Sequence, residues 1–227
     1  MRDPQGERMP WFYHFAIWCS RLLLNSLSRW RVTGLKQVPL RGPLLVVSNH
    51  QNNADPPIVV TIMPRAVHCM AKQEMFDSPI GILARWYGAF PVRRGQPDRQ
   101  AIRTALDFLA RGSCVALFPE GTRSRTGGLI RAHPGAGLIA VRSGAPILPI
   151  AIVGTGRLTS ARPMLGKPSI EVVVGEPFSL PRAQDGQALR ASEATEFIMR
   201  RIAALLPPEM RGYYGESTVA EPAAKSA

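Results

Sequence analysis

Cysteine, lysine and acidic side chains are all scarce in this sequence. The three cysteines, Cys19, Cys69 and Cys114, are scattered among apolar neighbours, which argues against a disulfide framework or a spaced set of zinc ligands. Only Lys36, Lys72, Lys167 and Lys225 are lysines, so 24 of the 28 basic residues are arginine, and 16 Asp+Glu leave a net charge of +12. Such an excess calls for an anionic partner: a phosphorylated substrate, an acidic membrane surface or nucleic acid. Nucleic acid is set aside, because the chain carries no aromatic-basic stacking strip and no recognition-helix motif. Also missing are a G-x-x-x-x-G-K-S/T phosphate loop and a G-x-S-x-G nucleophile elbow, and Gly154-Thr155-Gly156 lacks the third glycine of a dinucleotide fingerprint. No ligand cluster for a metal and no cofactor motif is present.

Long apolar runs are missing too. The stretch from Trp11 to Leu27 covers 17 residues and contains His14, Arg21 and Asn25, whereas a bilayer-spanning helix takes about 20 apolar residues. Trp11, Phe15, Trp18 and Leu22 recur at helical spacing, and Pro10 suits a first turn, so Pro10 to Arg31 reads as one amphipathic helix. It is expected to lie in a membrane interface, with the tryptophans at headgroup depth and Arg21, Arg29 and Arg31 reaching anionic lipid. The same amphipathicity would also pack a helix on the domain's own core. No small-residue cleavage site follows the run, so the expectation is a chain on the cytosolic, reduced side.

What is present suits one packed globule: 45% of the residues are hydrophobic and 19% charged. The expected organisation is a membrane-associating helix over 1–31, an α/β domain over 32–212 and a disordered tail over 213–227. Within the domain, β-rich runs at 44–48, 66–71, 89–92, 113–118, 147–153 and 170–174 alternate with helix-like segments near 57–63, 79–87, 98–110, 135–142 and 188–206. That alternation predicts a mostly parallel central sheet with helices on both faces. Sites in such sheets gather beyond the carboxyl ends of the strands.

Three polar clusters fall at those ends. After LLVVS comes Asn49-His50-Gln51-Asn52-Asn53-Ala54-Asp55. A histidine and an aspartate five positions apart at a strand-to-helix turn can meet, and the carboxylate then orients the imidazole as a general base. Asn and Asp would also serve there simply to cap the helix. After SCVALF comes Phe118-Pro119-Glu120-Gly121-Thr122-Arg123-Ser124-Arg125, whose glycine, hydroxyls and two guanidiniums suit a phosphate cradle or a solvated turn. The third is Gly88-Ala89-Phe90-Pro91-Val92-Arg93-Arg94-Gly95, which suits phosphate oxygens or a surface ion pair. His133, before Pro134 and Gly135, is a further candidate for substrate contact.

In this order the clusters resemble the glycerolipid acyltransferase family, of the bacterial 1-acylglycerol-3-phosphate acyltransferase type. The family's N-H-x-x-x-x-D motif is matched by Asn49, His50 and Asp55, and its second motif by Gly88, Phe90 and Arg94. Its F-P-E-G-T-R-S is complete from Phe118 to Ser124, and its proline-centred apolar motif resembles Ala145 to Ile150. The resemblance implies an acyl group moving from a thioester donor, acyl-CoA or acyl-carrier protein, to the sn-2 hydroxyl of 1-acylglycerol 3-phosphate, or to another lysolipid. It assigns His50 as base, Asp55 as its orienting partner, and Lys72, Arg94, Glu120, Gly121, Thr122 and Arg123 to the acceptor. It further implies action at the cytoplasmic face of the cell membrane, peripheral or monotopic, with the lysophospholipid and an anionic lipid surface as partners. Where many members carry a basic residue just before the glycine that precedes the fourth-motif helix, this chain reads Ala132-His133-Pro134-Gly135, and Asn52 and Asn53 replace small or hydroxyl residues.

Overall fold

The computed structural model describes residues 9–79, 81–93, 98–159, 167–181 and 187–215. Strands β1 (Arg29–Thr33), β2 (Leu44–Ser48), β3 (Val67–Lys72), β4 (Phe90–Val92), β5 (Cys114–Leu117), β6 (Ile147–Val153) and β7 (Ser169–Val174) form one sheet in the order β1-β7-β6-β2-β5-β3-β4. Its pairs are parallel except β6 with β7. The helices are α1 (Trp11–Leu27), α2 (Asp55–Ile62), α3 (Gln73–Phe76), α4 (Gly81–Trp86), α5 (Arg99–Ala110), α6 (Gly135–Ser143) and α7 (Ala191–Leu205).

Strands buried on both faces read as unbroken apolar runs, because successive side chains point to opposite sides and both sides are covered. In β2, Leu45 and Val47 join Ala105 of α5, Ile139 of α6 and Ile198 of α7 in one core. Leu44 and Val46, one residue out of phase, join Ile58 and Val59 of α2 and Tyr13 of α1 in the other. The expected α/β architecture is therefore present, with helices on both faces.

Two boundaries differ from the expected ones. The expected helix runs to Arg31, but α1 stops at Leu27. Ser28 turns extended (φ −141°, ψ 163°), and both its N–H and its hydroxyl donate to Leu24 O. Arg29–Thr33 then pairs with β7 as a strand whose residues alternate between exposed and half-buried. No glycine or proline marks this stop, and arginines on an edge strand keep it soluble while hiding it from an apolar-pattern search. At the other end, Gly212–Tyr214 forms a 3-10 turn with Tyr214 buried, where a disordered tail is expected from residue 213. The Tyr214 hydroxyl accepts the Ala132 N–H at 3.0 Å, which holds that turn to the protein. Residues 216–227 lie outside the described residues.

The way α1 sits on the sheet is opposite to the usual arrangement. Its buried residues are Tyr13, Ala16 and Ser20, and the Tyr13 hydroxyl accepts the N–H of Val67 at the start of β3 (3.1 Å). Ser20 and Tyr87 share a hydrogen bond between their hydroxyls. Phe12 stacks on Trp86 of α4 (5.7 Å between ring centres), and Phe15 meets the same ring edge-on. The apolar stripe itself faces outward: Trp11 is 72% exposed, Trp18 60%, and Leu22, Leu23 and Leu27 are exposed as well. Met75 of α3 and Ile82 and Leu83 of α4 are exposed too.

Packing between α6 and α7 sets the position of the loop that precedes α6. At Gly137 an added Cβ would lie 2.0 Å from Ala191 O and 2.6 Å from Thr195 N, both backbone atoms that cannot swing aside. Gly135, two residues earlier, has open space. In denaturant unfolding, Gly137→Ala should therefore destabilise the fold by about 1–3 kcal/mol or more through overpacking. Gly135→Ala should be neutral or slightly stabilising, and equal effects of the two substitutions would refute this account of the α6–α7 contact.

Candidate active site

β2 brings its last residue to the carboxyl edge of the sheet, where its ladder with β6 ends at Ser48 opposite Ile150. Asn49 extends the ladder with its side chain: Nδ2 donates to Ile152 O (2.8 Å) and Oδ1 accepts the Ile152 N–H (2.7 Å). The amide thus replaces one strand pair and lets the main chain turn away, which delivers His50 to the end of the sheet.

Asp55 opens α2 and is fully buried. Its Oδ2 accepts the N–H of Gln51 and of Asn52, each at 2.6 Å, and lies 2.9 Å from His50 Nδ1. A carboxylate oxygen can only accept, so Nδ1 carries a proton, and in the neutral imidazole the lone pair is on Nε2. The imidazole also lies against the Phe118 ring, 4.5 Å between centres. Asn52 makes an Asx turn just before the helix, its Oδ1 accepting the Ala54 N–H at 3.0 Å, while the N-cap residue Ala54 supplies no side-chain cap. The His50–Asp55 contact is therefore present, and helix capping by an Asn or Asp side chain is not.

The loop after β5 is tied to this turn. The Ser124 N–H donates to His50 O (2.8 Å), and the Gln51 side chain donates to Gly127 O (2.7 Å). Gly121 turns with φ +67°, and a Cβ there would come within 2.8 Å of His133 Cδ2, so the turn has no room for a side chain. His133, whose N–H donates to Pro119 O, forms the wall of that turn.

A cleft of about 550 Å³ opens between Gln51, Thr122, Arg123, Arg125, Thr126 and Gly156. Arg123 and Arg125 are exposed, and neither has an ion-pair partner among the described residues. The cleft begins at Gln51, next in the chain to His50, and its two guanidiniums are of the kind that takes an anionic group.

The structure thus brings His50 and Asp55 into contact and ties their turn to the loop that carries Gly121, Thr122 and Arg123, of which Thr122 and Arg123 line the cleft. Glu120 is close by but turned inward, 1% exposed, its two oxygens on the N–H groups of His50 (2.8 Å) and Ile130 (3.0 Å). Burial and the nearby Asp55 charge raise its carboxyl to about 7 against the pull of those two bonds. Lys72 ends β3, is half exposed, pairs with Glu74 (3.1 Å), and does not line the cleft. Arg94 lies outside the described residues. Gln51 and Gly156 are lining residues that motif reasoning passed over. For Gln51 the available signal was its place beside His50, whereas Gly156 had none beyond following β6. Among the described residues, no group of three or more His, Cys, Asp and Glu is placed to hold a metal ion.

A sequence model of the family described as Acyltransferase matches residues 29–153. The chain is 29% identical to a chloroplastic 1-acyl-sn-glycerol-3-phosphate acyltransferase of Brassica napus, over 74% of this chain and 50% of that protein. It is also 29% identical to the 1-acyl-sn-glycerol-3-phosphate acyltransferase of Bacillus subtilis, over 73% of this chain and 82% of that one. It therefore spans about half the length of the chloroplast relative and most of the bacterial one. The crystal structure of the 1-acyl-sn-glycerophosphate acyltransferase PlsC from Thermotoga maritima superposes with a TM-score of 0.66 at 24% identity, covering 85% of this chain and 79% of that one, and shows a shared fold. With more than half its length matched, including the turn that carries His50 and Asp55 and the loop that carries Arg123, the chain belongs to the acyltransferase family.

Proposed function

We propose that this protein transfers a fatty acyl group from a thioester, acyl-CoA or acyl-carrier protein, to the sn-2 hydroxyl of 1-acylglycerol 3-phosphate, forming phosphatidate. The observation that carries the proposal is the His50–Asp55 contact at 2.9 Å, next in the chain to a cleft whose two arginines pair with no acid among the described residues. The relatives' names point to the same acceptor.

Nε2 of His50 removes the hydroxyl proton as the oxygen attacks the thioester carbonyl carbon. The tetrahedral intermediate then collapses, the C–S bond breaks, and the imidazolium returns its proton to the departing sulfur. Asp55 fixes the tautomer and balances the positive charge while it lasts. A thioester is already activated, so alignment and a base supply most of what the reaction needs. Arg123 and Arg125 grip the acceptor phosphate, with Gly121 and Thr122 shaping the loop that receives it; Lys72, paired with Glu74 away from the cleft, is not part of that grip, and Arg94 is assigned to the acceptor by the motif resemblance alone.

The working surface is the cytoplasmic face of the cell membrane, with the protein bound peripherally or monotopically. Among the described residues no helix is long and apolar enough to cross a bilayer. The support is the outward stripe of α1, extended by Ile82 and Leu83 of α4. Trp11, Trp18 and Leu22 suit the headgroup boundary, and exposed Arg21, Arg29, Arg31 and Arg85 suit anionic lipid.

Purified protein supplied with labelled acyl-CoA and lysophosphatidate should form phosphatidate, and His50→Ala should lower kcat on the order of 10²–10⁴-fold while the fold is retained. Near-normal turnover in that variant would refute the mechanism. Product from only a non-phosphate lysolipid would move the acceptor assignment, and product only with acyl-carrier protein would decide the donor.

In flotation with vesicles containing phosphatidylglycerol, Trp18→Glu combined with Leu22→Glu should lower partitioning at least about 100-fold, since each buried apolar side chain contributes about 1.5–3 kcal/mol. Turnover of detergent-dispersed substrate should stay within about twofold. Unchanged flotation would refute this docking face.

A further inference from the structure

We propose that Glu120 is a positioning residue: its carboxylate clips the His50 peptide to the 118–130 loop and sets where the general base stands, without touching the acceptor. The inference rests on the acyl-transfer reading above and departs from the acceptor-contact role that motif resemblance assigns to this glutamate.

The geometry leaves Glu120 no free face. It is 1% exposed, Oε1 holds the His50 N–H and Oε2 holds the Ile130 N–H. On its other side the His50 peptide is held again, by the Ser124 N–H on His50 O at 2.8 Å. Both neighbouring main-chain groups of His50 therefore answer to the loop that carries Arg123, and the imidazole rests on Phe118 of that same loop. The base and the arginines of the cleft form one rigid piece, although they come from sequence segments about 70 residues apart. Asp55 orients the ring about its own axis, whereas Glu120 fixes the backbone from which the ring projects. An error of about 1 Å in that placement costs on the order of 10² in rate.

The strength of the clip follows the charge on Glu120. As a carboxylate it accepts both N–H groups with charge assistance, but as a neutral acid one oxygen carries a proton and the bonds weaken. The groups facing it are His50 and Asp55 from the turn after β2 and Tyr214 from the C-terminal turn. Burial and Asp55 bring its titration to about 7, so the clip is at full strength above that pH and slackens below it.

The test compares wild type with Glu120→Gln, using acyl-CoA and lysophosphatidate from pH 5.5 to 8.5. Glutamine offers one acceptor oxygen and one NH₂ that opposes the second N–H. At pH 8 the variant should lose on the order of 10- to 100-fold in kcat, with KM for lysophosphatidate within about twofold. The deficit should narrow as pH falls below 7, because protonation makes the wild-type clip resemble the variant's. A tenfold or greater rise in KM with kcat retained would overturn the proposal in favour of substrate contact, and a deficit constant across the pH range would reduce Glu120 to a general structural role. Should the glutamine variant fail to fold by thermal melt, Glu120→Asp keeps the charge but is one methylene too short to reach both N–H groups, and must show the same split of kcat from KM. Absence of phosphatidate from the wild type itself would instead overturn the reaction assigned above.

Discussion

Two buried carboxylates must be supplied with hydrogen-bond donors, and among the described residues of this strongly basic protein neither takes them from an arginine. Asp55 fills one oxygen with two backbone N–H groups and the His50 imidazole. Glu120 fills both of its oxygens with backbone N–H groups from two different loops. Backbone donors stay where the fold puts them, so they hold a carboxylate at fixed geometry and at lower desolvation cost than a long, mobile cation would. Main-chain donors and one imidazole serve Asp55 Oδ2 and both Glu120 oxygens, Asp55 Oδ1 being left without a partner among the described residues, and within those residues Arg123 and Arg125 pair with no acid and stay available to the cleft.

Much of this was legible in one dimension. LLVVS, CVAL and ILPIAIV are buried on both faces, and unbroken apolar runs of that length between turn residues announce parallel strands. His50 and Asp55 were legible because five residues across a strand-to-helix turn is a short, closable distance. β1 was not, since Arg29 and Arg31 on an edge strand interrupt the apolar signal and nothing punctuates Ser28. The inward turn of Glu120 was not legible either. An acid in a Gly-Thr-Arg loop looks solvent-facing until its partner, 70 residues earlier, is placed against it. The same holds for Tyr214 on Ala132, a contact across 82 residues near the end of the chain.

The α1 helix marks a different limit of pattern reading. Helical spacing shows that an apolar face exists, but not which side of the helix the rest of the protein will use. Here the small and hydroxylated side, Ala16, Ser20 and Tyr13, makes the internal contacts through specific hydrogen bonds, while the tryptophan side is left out. Polar contacts of this kind fix a helix in one orientation more sharply than apolar packing does, because each hydrogen bond has a required direction.

The antiparallel pairing of β6 with β7 has a mechanical consequence. Because β7 reverses and β1 runs alongside it, Arg29 pairs with Ser169 near the end of β6, the edge of the sheet that carries His50. The far end of α1 is thereby tied to the reactive edge, while Tyr13 ties its near portion to the start of β3 at the opposite edge. The helix is a strut across the domain and not a hinged arm. The lie of the helix on the sheet and the placement of the imidazole at the sheet's edge therefore form a single degree of freedom, so a change in one is a change in the other.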